Sequence, residues 1–213
     1  MSYLVNLTVA GKSAVVIGGG QVAARKVEDL LAAQARVTVV ATDSCEAIRE
    51  LAEAGRIALR LRPYAKDDLA GAFVAIAATG DEEVNRRVAG DAAALNVLVN
   101  VVDRPALCTF TVPATVRRGD LTLAVATEGR CPALAGILRE ELQERYGPEY
   151  AGLVDLFGEL RAKMIAEAWD GRSIRAALDD IYHHHVIEHI AAGDRQRLGD
   201  FLRSRLEPEF WPG

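Results

Sequence analysis

Apolar and polar positions come in regular blocks along the first half of the chain. Residues 14–17, Ala-Val-Val-Ile, form a short apolar run that breaks into Gly18, Gly19 and Gly20 and resumes with helical spacing over 21–33. A run this short, bounded by glycine, predicts a buried strand, and the spacing after it predicts a helix. The alternation continues with strands at 36–41, 57–61, 73–78 and 97–102. Between them lie a helix at 45–54, closed by Gly55, and an amphipathic helix at 82–95 carrying Val84, Val88, Ala92 and Leu95 on one face. Strands separated by helices need crossover connections. The predicted fold class is therefore α/β, a mainly parallel Rossmann-type sheet covered on both faces.

The pattern changes after Pro105. Residues 110–114 and 121–126 predict two antiparallel strands joined by the polar turn Arg117-Arg118-Gly119-Asp120. Pro132 suits the first turn of a helix over 133–146, which Gly147-Pro148 stops. From 149 onward the strand signal is gone, and three helices are expected near 149–168, 173–190 and 194–206. The expected domains are a dinucleotide-binding domain over 1–112, a small α+β segment over 113–148 and a helical domain over 149–213.

The glycines supply the first chemical clue. Gly18, Gly20 and Ala23 fit the G-x-G-x-x-G/A spacing: the first turns the chain, the second lets backbone approach a pyrophosphate, and the third small residue lets helix pack on strand. The anion would sit on the free N–H groups at the helix start. An acidic residue at the end of the second strand would hold the adenosine ribose. Val40 and Ala41 occupy the usual place, and Asp43 lies just beyond, with capping of the next helix as its rival role. Nothing near here offers an arginine ready for a 2′-phosphate, since Arg36 begins the strand and Arg60 and Arg62 lie elsewhere, so NAD is expected rather than NADP. Thr79, in Ala77-Ala78-Thr79-Gly80-Asp81, ends the fourth strand on the edge where such folds bind ligands, and Asp81 is a good helix cap.

Two further stretches carry candidate chemistry. Asn100-Val101-Val102-Asp103-Arg104-Pro105 puts a carboxylate just past a strand on that same edge, making Asp103 the candidate acid/base. Beside an apolar pocket such a group exchanges protons near neutral pH; the alternative is an ordinary turn aspartate. Thr127-Glu128-Gly129-Arg130-Cys131-Pro132 leads into a helix whose free N–H groups, with Arg130, could receive a substrate carboxylate. Cys131, next to that helix start, has no histidine placed by sequence to activate it and is read as a small buried cysteine outside the chemistry. His183, His184, His185 and His189 are the chain's four histidines, and they read as a solvated helix surface rather than a metal site.

Composition narrows the classes. A net charge of −5 without a basic patch argues against nucleic acid as a partner. Three widely spaced cysteines fit neither a disulfide framework nor a zinc ribbon, which suggests a reducing cytoplasm. No secretion signal is expected, and no apolar run reaches the roughly 18 residues a membrane span requires.

Val16 to Lys26 (V-I-G-G-G-Q-V-A-A-R-K), Ala77 to Asn85, Asn100 to Pro105 and Thr109 to Ala114 together resemble the precorrin-2 dehydrogenase family, which includes bifunctional sirohydrochlorin ferrochelatases and the N-terminal half of sirohaem synthase. The likeness covers about residues 1–146 in order and spacing, and beyond that only length and helical character. The resemblance implies a cytoplasmic homodimer that binds a tetrapyrrole and uses NAD to oxidise precorrin-2 to sirohydrochlorin, with Fe²⁺ as a further substrate in members that also chelate. By position it makes Asp103 the catalytic aspartate. Gln21, Val22, Thr42 and Asp43 become cofactor contacts with the glycines, and Thr127 the counterpart of a serine in the substrate cleft. A polycarboxylate macrocycle needs arginines around an apolar cleft, and Arg104, Arg117, Arg118 and Arg130 are the candidates, each with surface charge as its alternative. A non-catalytic NAD(H)-sensing module would use the same glycine turn but would have no need of Asp103.

Overall fold

In a computed structural model describing residues 3–206, the chain divides into two compact units, Met1–Val112 and Pro113–Gly213. The first unit runs β1 (Ser13–Ile17), α1 (Gln21–Ala32), β2 (Arg36–Ala41), α2 (Glu46–Glu53), β3 (Ala58–Leu61), β4 (Val74–Ala77), α3 (Glu82–Leu95) and β5 (Leu98–Val101). The five strands are all parallel in the order β3-β2-β1-β4-β5. The order reverses between β1 and β4. An open α/β sheet offers its ligand crevice at such a reversal, beyond the carboxyl ends of the strands.

Successive strand residues point to opposite faces, and both faces here are covered. Val16, Val39 and Ile76 meet Ala23, Val27 and Ile48 from α1 and α2. On the other face Val15, Ala75 and Val99 meet Val88 and Ala92 from α3, with Tyr64 and Leu69 from the loop after β3. Double coverage explains why β1 and β4 are continuous apolar runs, whereas the edge strand β3 carries Arg60 and an exposed Leu61. The Asp81 cap forms as expected: its Oδ1 accepts from the N–H groups of Glu83 (2.9 Å) and Val84 (3.2 Å), and Asn96 closes α3 in the left-handed conformation.

The second unit contains the hairpin β6 (Ala114–Arg118) and β7 (Leu121–Val125), followed by α4 (Pro132–Arg145), α5 (Glu149–Ala166), α6 (Gly171–His183), α7 (Val186–Ala191) and α8 (Arg195–Arg205). It takes in both the segment 113–148 and the described part of 149–213. Leu156, Leu160, Met164, Ile181, Val186 and Leu202 form its core.

Two expectations are corrected here. The first strand of the hairpin starts at Ala114 rather than spanning 110–114, and the turn is only Gly119-Asp120, because Arg118 pairs with Leu121. Residues 108–110 instead lie along the free edge of β5: the Thr109 hydroxyl accepts from Val99 N–H (2.7 Å) and Thr109 N–H donates to Val99 O (2.8 Å). The helix expected over 173–190 is two helices, broken at His184 and His185, where His185 takes a φ of 66°.

Candidate active site

The three glycines of the turn after β1 answer to three different constraints. Gly18 has a φ of +129°, and a Cβ there would lie 2.3 Å from the Ala78 carbonyl oxygen; at Gly19 it would lie 1.8 Å from that of Asp43. Both are excluded by the protein itself. A Cβ on Gly20, by contrast, would meet nothing within 4 Å. Ala23 is fully buried where α1 crosses the sheet. The first backbone bond of α1 runs from Ala24 N–H to the Gly20 carbonyl (3.0 Å), so the N–H groups of Gln21, Val22 and Ala23 have no acceptor within the helix.

A cleft of about 490 Å³ opens over this turn, lined by Gly18, Gly19, Gly20, Thr42, Asp43 and Thr79 among others. That size suits a nucleotide-class ligand. Asp43 does not cap α2; Cys45 holds that position without a side-chain bond. The Asp43 Oδ1 instead accepts from Ser44 N–H (2.7 Å) and Arg49 Nη2 (2.9 Å), while Oδ2 accepts no hydrogen bond among the described residues. Thr79 is spent on the loop: its hydroxyl lies 3.0 Å from Asn85 Oδ1 and accepts from Asp81 N–H (3.1 Å), and Asn85 Nδ2 donates to its carbonyl (3.0 Å). Arg62, expected to lie elsewhere, lines the same cleft, because the pairing of β2 with β3 brings the residues after both strands together; Tyr64 and Arg87, which the sequence did not single out, line it too. Burial, with the bond its hydroxyl donates to Asp91 Oδ2 (3.0 Å), pushes the Tyr64 phenol up, and the Arg87 guanidinium sits 5.8 Å above its ring.

A ladder across the carboxyl edge links the glycine turn to Asp103. Gly18 N–H donates to Val40 O (3.0 Å), Ala78 N–H to Ile17 O (2.7 Å) and Val102 N–H to Ala77 O (2.9 Å). Asp103 follows directly, at a φ of 58° in a tight turn closed by Arg104 N–H on Val101 O (3.1 Å). Aspartate tolerates this left-handed conformation better than most residues. Its carboxylate has no hydrogen-bond or ion-pair partner among the described residues, and the residue is exposed within the first unit rather than set in an apolar pocket. The Cys108 thiol pins the base of the turn, lying 3.1 Å from Val101 N, 3.3 Å from Val101 O and 3.4 Å from Arg104 O. Arg104 is ion-paired with Glu82, which also pairs with Arg86 (2.7 Å), and Arg104 holds the Glu82 carboxyl below its ordinary pKa.

In the second unit the arginines divide. Arg118 is structural: Nε donates to Tyr146 O (2.8 Å) and Nη2 to Gln143 O (3.0 Å), satisfying carbonyls at the end of α4. Arg117 and Arg130 are exposed, and their guanidinium groups have no partner among the described residues. Thr127 shapes the approach to α4, its hydroxyl accepting from Cys131 N–H (3.3 Å) and its carbonyl from Arg130 N–H (2.9 Å). The cysteines Cys45, Cys108 and Cys131 are all unpaired, and Cys131, expected to be buried, is exposed at the N-cap of α4. Among the described residues no cluster of His, Cys, Asp or Glu could hold a metal, and no helix is long and apolar enough to cross a membrane. His189 packs against the Phe201 ring at 5.0 Å.

With this geometry in place, residues 5–114 match the NAD(P)-binding family model NAD_binding_7. The chain belongs to this family. It is also 37% identical over 92% of its length to a sirohaem synthase of Ectopseudomonas mendocina, and 36% identical over 98% to one of Nitrosospira multiformis. It covers 42% and 45% of those two proteins, so it spans less than half the length of these curated relatives. Among solved structures it resembles SirC, a precorrin-2 dehydrogenase, with a TM-score of 0.76 and 25% identity over 95% of this chain and 98% of that one. The glycine turn fits the group that the family binds: Gly20, where an added Cβ would meet nothing within 4 Å, lines the cleft and leads directly into the N–H groups of α1 that have no acceptor within the helix.

Proposed function

We propose that this chain is an NAD-dependent precorrin-2 dehydrogenase, forming sirohydrochlorin in sirohaem synthesis. The observation that carries the proposal is the Asp103 carboxylate, without a partner among the described residues, standing on the same sheet edge as the glycine turn. A protein that only senses NAD(H) needs the turn and has no use for that acid. The likeness to SirC along nearly the whole of both chains supports the same reading.

The oxidation removes a hydride and a proton from the macrocycle. The nicotinamide of bound NAD⁺ supplies the hydride acceptor. The N–H groups of Gln21, Val22 and Ala23 and the open face of Gly20 hold the pyrophosphate, and Asp43 Oδ2 takes the adenosine ribose. Asp103 accepts the proton, and Cys108 and the Arg104–Glu82 pair fix the turn that presents it. Arg117 and Arg130, whose guanidinium groups have no partner among the described residues, are the second unit's candidates to receive substrate carboxylates, and the Thr127 carbonyl accepts from Arg130 N–H (2.9 Å). In this reading the protein works in the cytoplasm as a homodimer, which is supported by the unpaired cysteines and by Leu134 and Ile137 lying exposed on α4.

The test supplies precorrin-2 and NAD⁺ anaerobically and follows sirohydrochlorin absorbance. Asp103→Asn should cut turnover by about 10²–10⁴-fold while NADH binding is unchanged. Turnover that survives the change would overturn the assignment. Adding Fe²⁺ after the oxidation then asks whether the same protein inserts the metal.

A further inference from the structure

β2 and β3 are neighbours, with Ala41 opposite Leu61, so the residues that follow them, Thr42-Asp43 and Arg62-Pro63-Tyr64, meet at one end of the cleft. In a dinucleotide fold this is where the adenosine ribose is read: a carboxylate accepts from the 2′-hydroxyl of NAD, whereas an arginine receives the 2′-phosphate of NADP. This rim carries both groups. Its preference depends on whether the Arg62 fork is free.

It is not free. Arg62 Nη1 donates to Asp68 Oδ2 (2.8 Å) and to Pro63 O (3.0 Å), and Nη2 donates to Asp68 Oδ1 (2.5 Å). Two parallel bonds to one carboxylate are the geometry with which arginine would otherwise grip a phosphate. The Asp68 side chain is fully buried and also accepts from Arg60 Nη1 (2.8 Å) and Ala65 N–H (3.0 Å). A 2′-phosphate would have to displace a buried carboxylate that already has four donors, beside a second carboxylate, Asp43, whose Oδ1 is already paired with Arg49 (2.9 Å). The three groups Arg60, Arg62 and Asp68 still sum to a positive charge, yet Arg60 and Arg62 are each nearly half exposed, so water and salt screen that field. Close-range donors decide the selectivity, and Asp68 occupies them.

We propose that Asp68 is a specificity-determining residue: by engaging the guanidinium of Arg62 it keeps the dinucleotide cleft selective for a cofactor without a 2′-phosphate. The inference rests on the cleft being the dinucleotide site. Asp68 is buried beneath Arg62 and acts on the ligand only through it.

Direct binding tests it, without turnover. NADH and NADPH are titrated by fluorescence against the full chain as wild type, Asp68→Asn, Arg62→Ala and the double variant, with thermal unfolding recorded for each. Wild type should favour NADH by about tenfold or more, and Asp68→Asn should shift the ratio of the two dissociation constants towards NADPH by about tenfold. In the double variant that gain should vanish. Arg62→Ala alone should leave the ratio within about twofold, because the fork is already engaged. A folded Asp68→Asn with an unchanged ratio overturns the proposal. So does an Arg62→Ala that selectively loses NADPH, and this arm decides even if Asp68→Asn does not fold. Wild type binding both nucleotides equally sinks the proposal and leaves the dinucleotide site standing, whereas binding neither removes the site itself.

Discussion

Replacing Gly20 with alanine separates what the fold requires from what a ligand requires. At Gly18 and Gly19 a methyl group would sit 2.3 Å and 1.8 Å from backbone oxygens, so alanine at either position displaces the loops after β4 or β2. Forced overlaps of that kind cost about 1–3 kcal/mol or more. Gly20 has a φ of −84° and a ψ of −176°, open to any residue, and nothing within 4 Å of the added carbon. Alanine there gains about 0.4–1 kcal/mol from a less flexible unfolded chain and loses a similar amount as a poorer N-cap. Stability should therefore stay within about 1 kcal/mol of wild type, a few degrees in melting temperature for a unit of this size. Binding should change: the methyl fills the space through which a pyrophosphate reaches the N–H groups of α1, and NADH affinity should fall by at least about tenfold, or 1.4 kcal/mol. Thermal unfolding and NADH fluorescence titration on Gly20→Ala and Gly19→Ala give both numbers. A Gly20→Ala protein that is stable and binds NADH as wild type does would show that the open face of this turn receives no ligand, and the reasoning from the glycines would fail.

Cys108→Ala removes the acceptor for the buried Val101 N–H and should cost about 1–3 kcal/mol. It should also lower kcat with NADH affinity unchanged, and Cys108→Ser should restore most of both, as stopped-flow and binding titrations would report. Burial alone would raise the Asp68 carboxyl, but bonds from Arg62, Ala65 N–H and Arg60 outweigh it and hold the group down to about 2. A pKa below the unfolded value contributes stability that is present above about pH 4 and is lost as pH falls towards 2, on the order of 2 kcal/mol. Thermal unfolding between pH 5 and pH 2 should show this loss in wild type and not in Asp68→Asn; parallel curves for the two would refute it.

The elements that sequence disclosed best are those whose ends are set by local chemistry. β2 and α3 have the bounds expected from their residues, because Asp81 caps one end of α3 and Asn96 the other, and because a strand buried on both faces has no choice but to be apolar. The errors fall where tertiary contacts replace local rules. Residues 108–110 show strand-like character, yet they are tied to β5 by a threonine hydroxyl, a cysteine thiol and backbone bonds to the single carbonyl of Val99 rather than by a regular ladder, and periodicity is blind to that. The break at His185 did leave a signal. Ile181 and Val186 are both buried but five residues apart, about 140° around one continuous helix, so a single helix could not bury both on the same face.

The same logic explains which part of the site was hidden. The glycine turn and Asp103 lie at strand ends, where an apolar run stops and leaves its signature in the chain. Arg62 and Asp68 lie in the loop after β3, which has no repeat, and their pairing becomes visible only when Lys66–Leu69 turns the carboxylate inward under the fork. Glycine spacing thus announces that a dinucleotide binds, because every such cofactor shares a pyrophosphate. Which dinucleotide binds is settled by side chains brought together through folding, and a charged loop of this kind reads in sequence as ordinary surface. The two levels can fail independently: Gly20→Ala should remove binding of both nucleotides alike, whereas Asp68→Asn should redistribute binding between them. A cleft in which the two substitutions gave the same pattern would not have this division of labour.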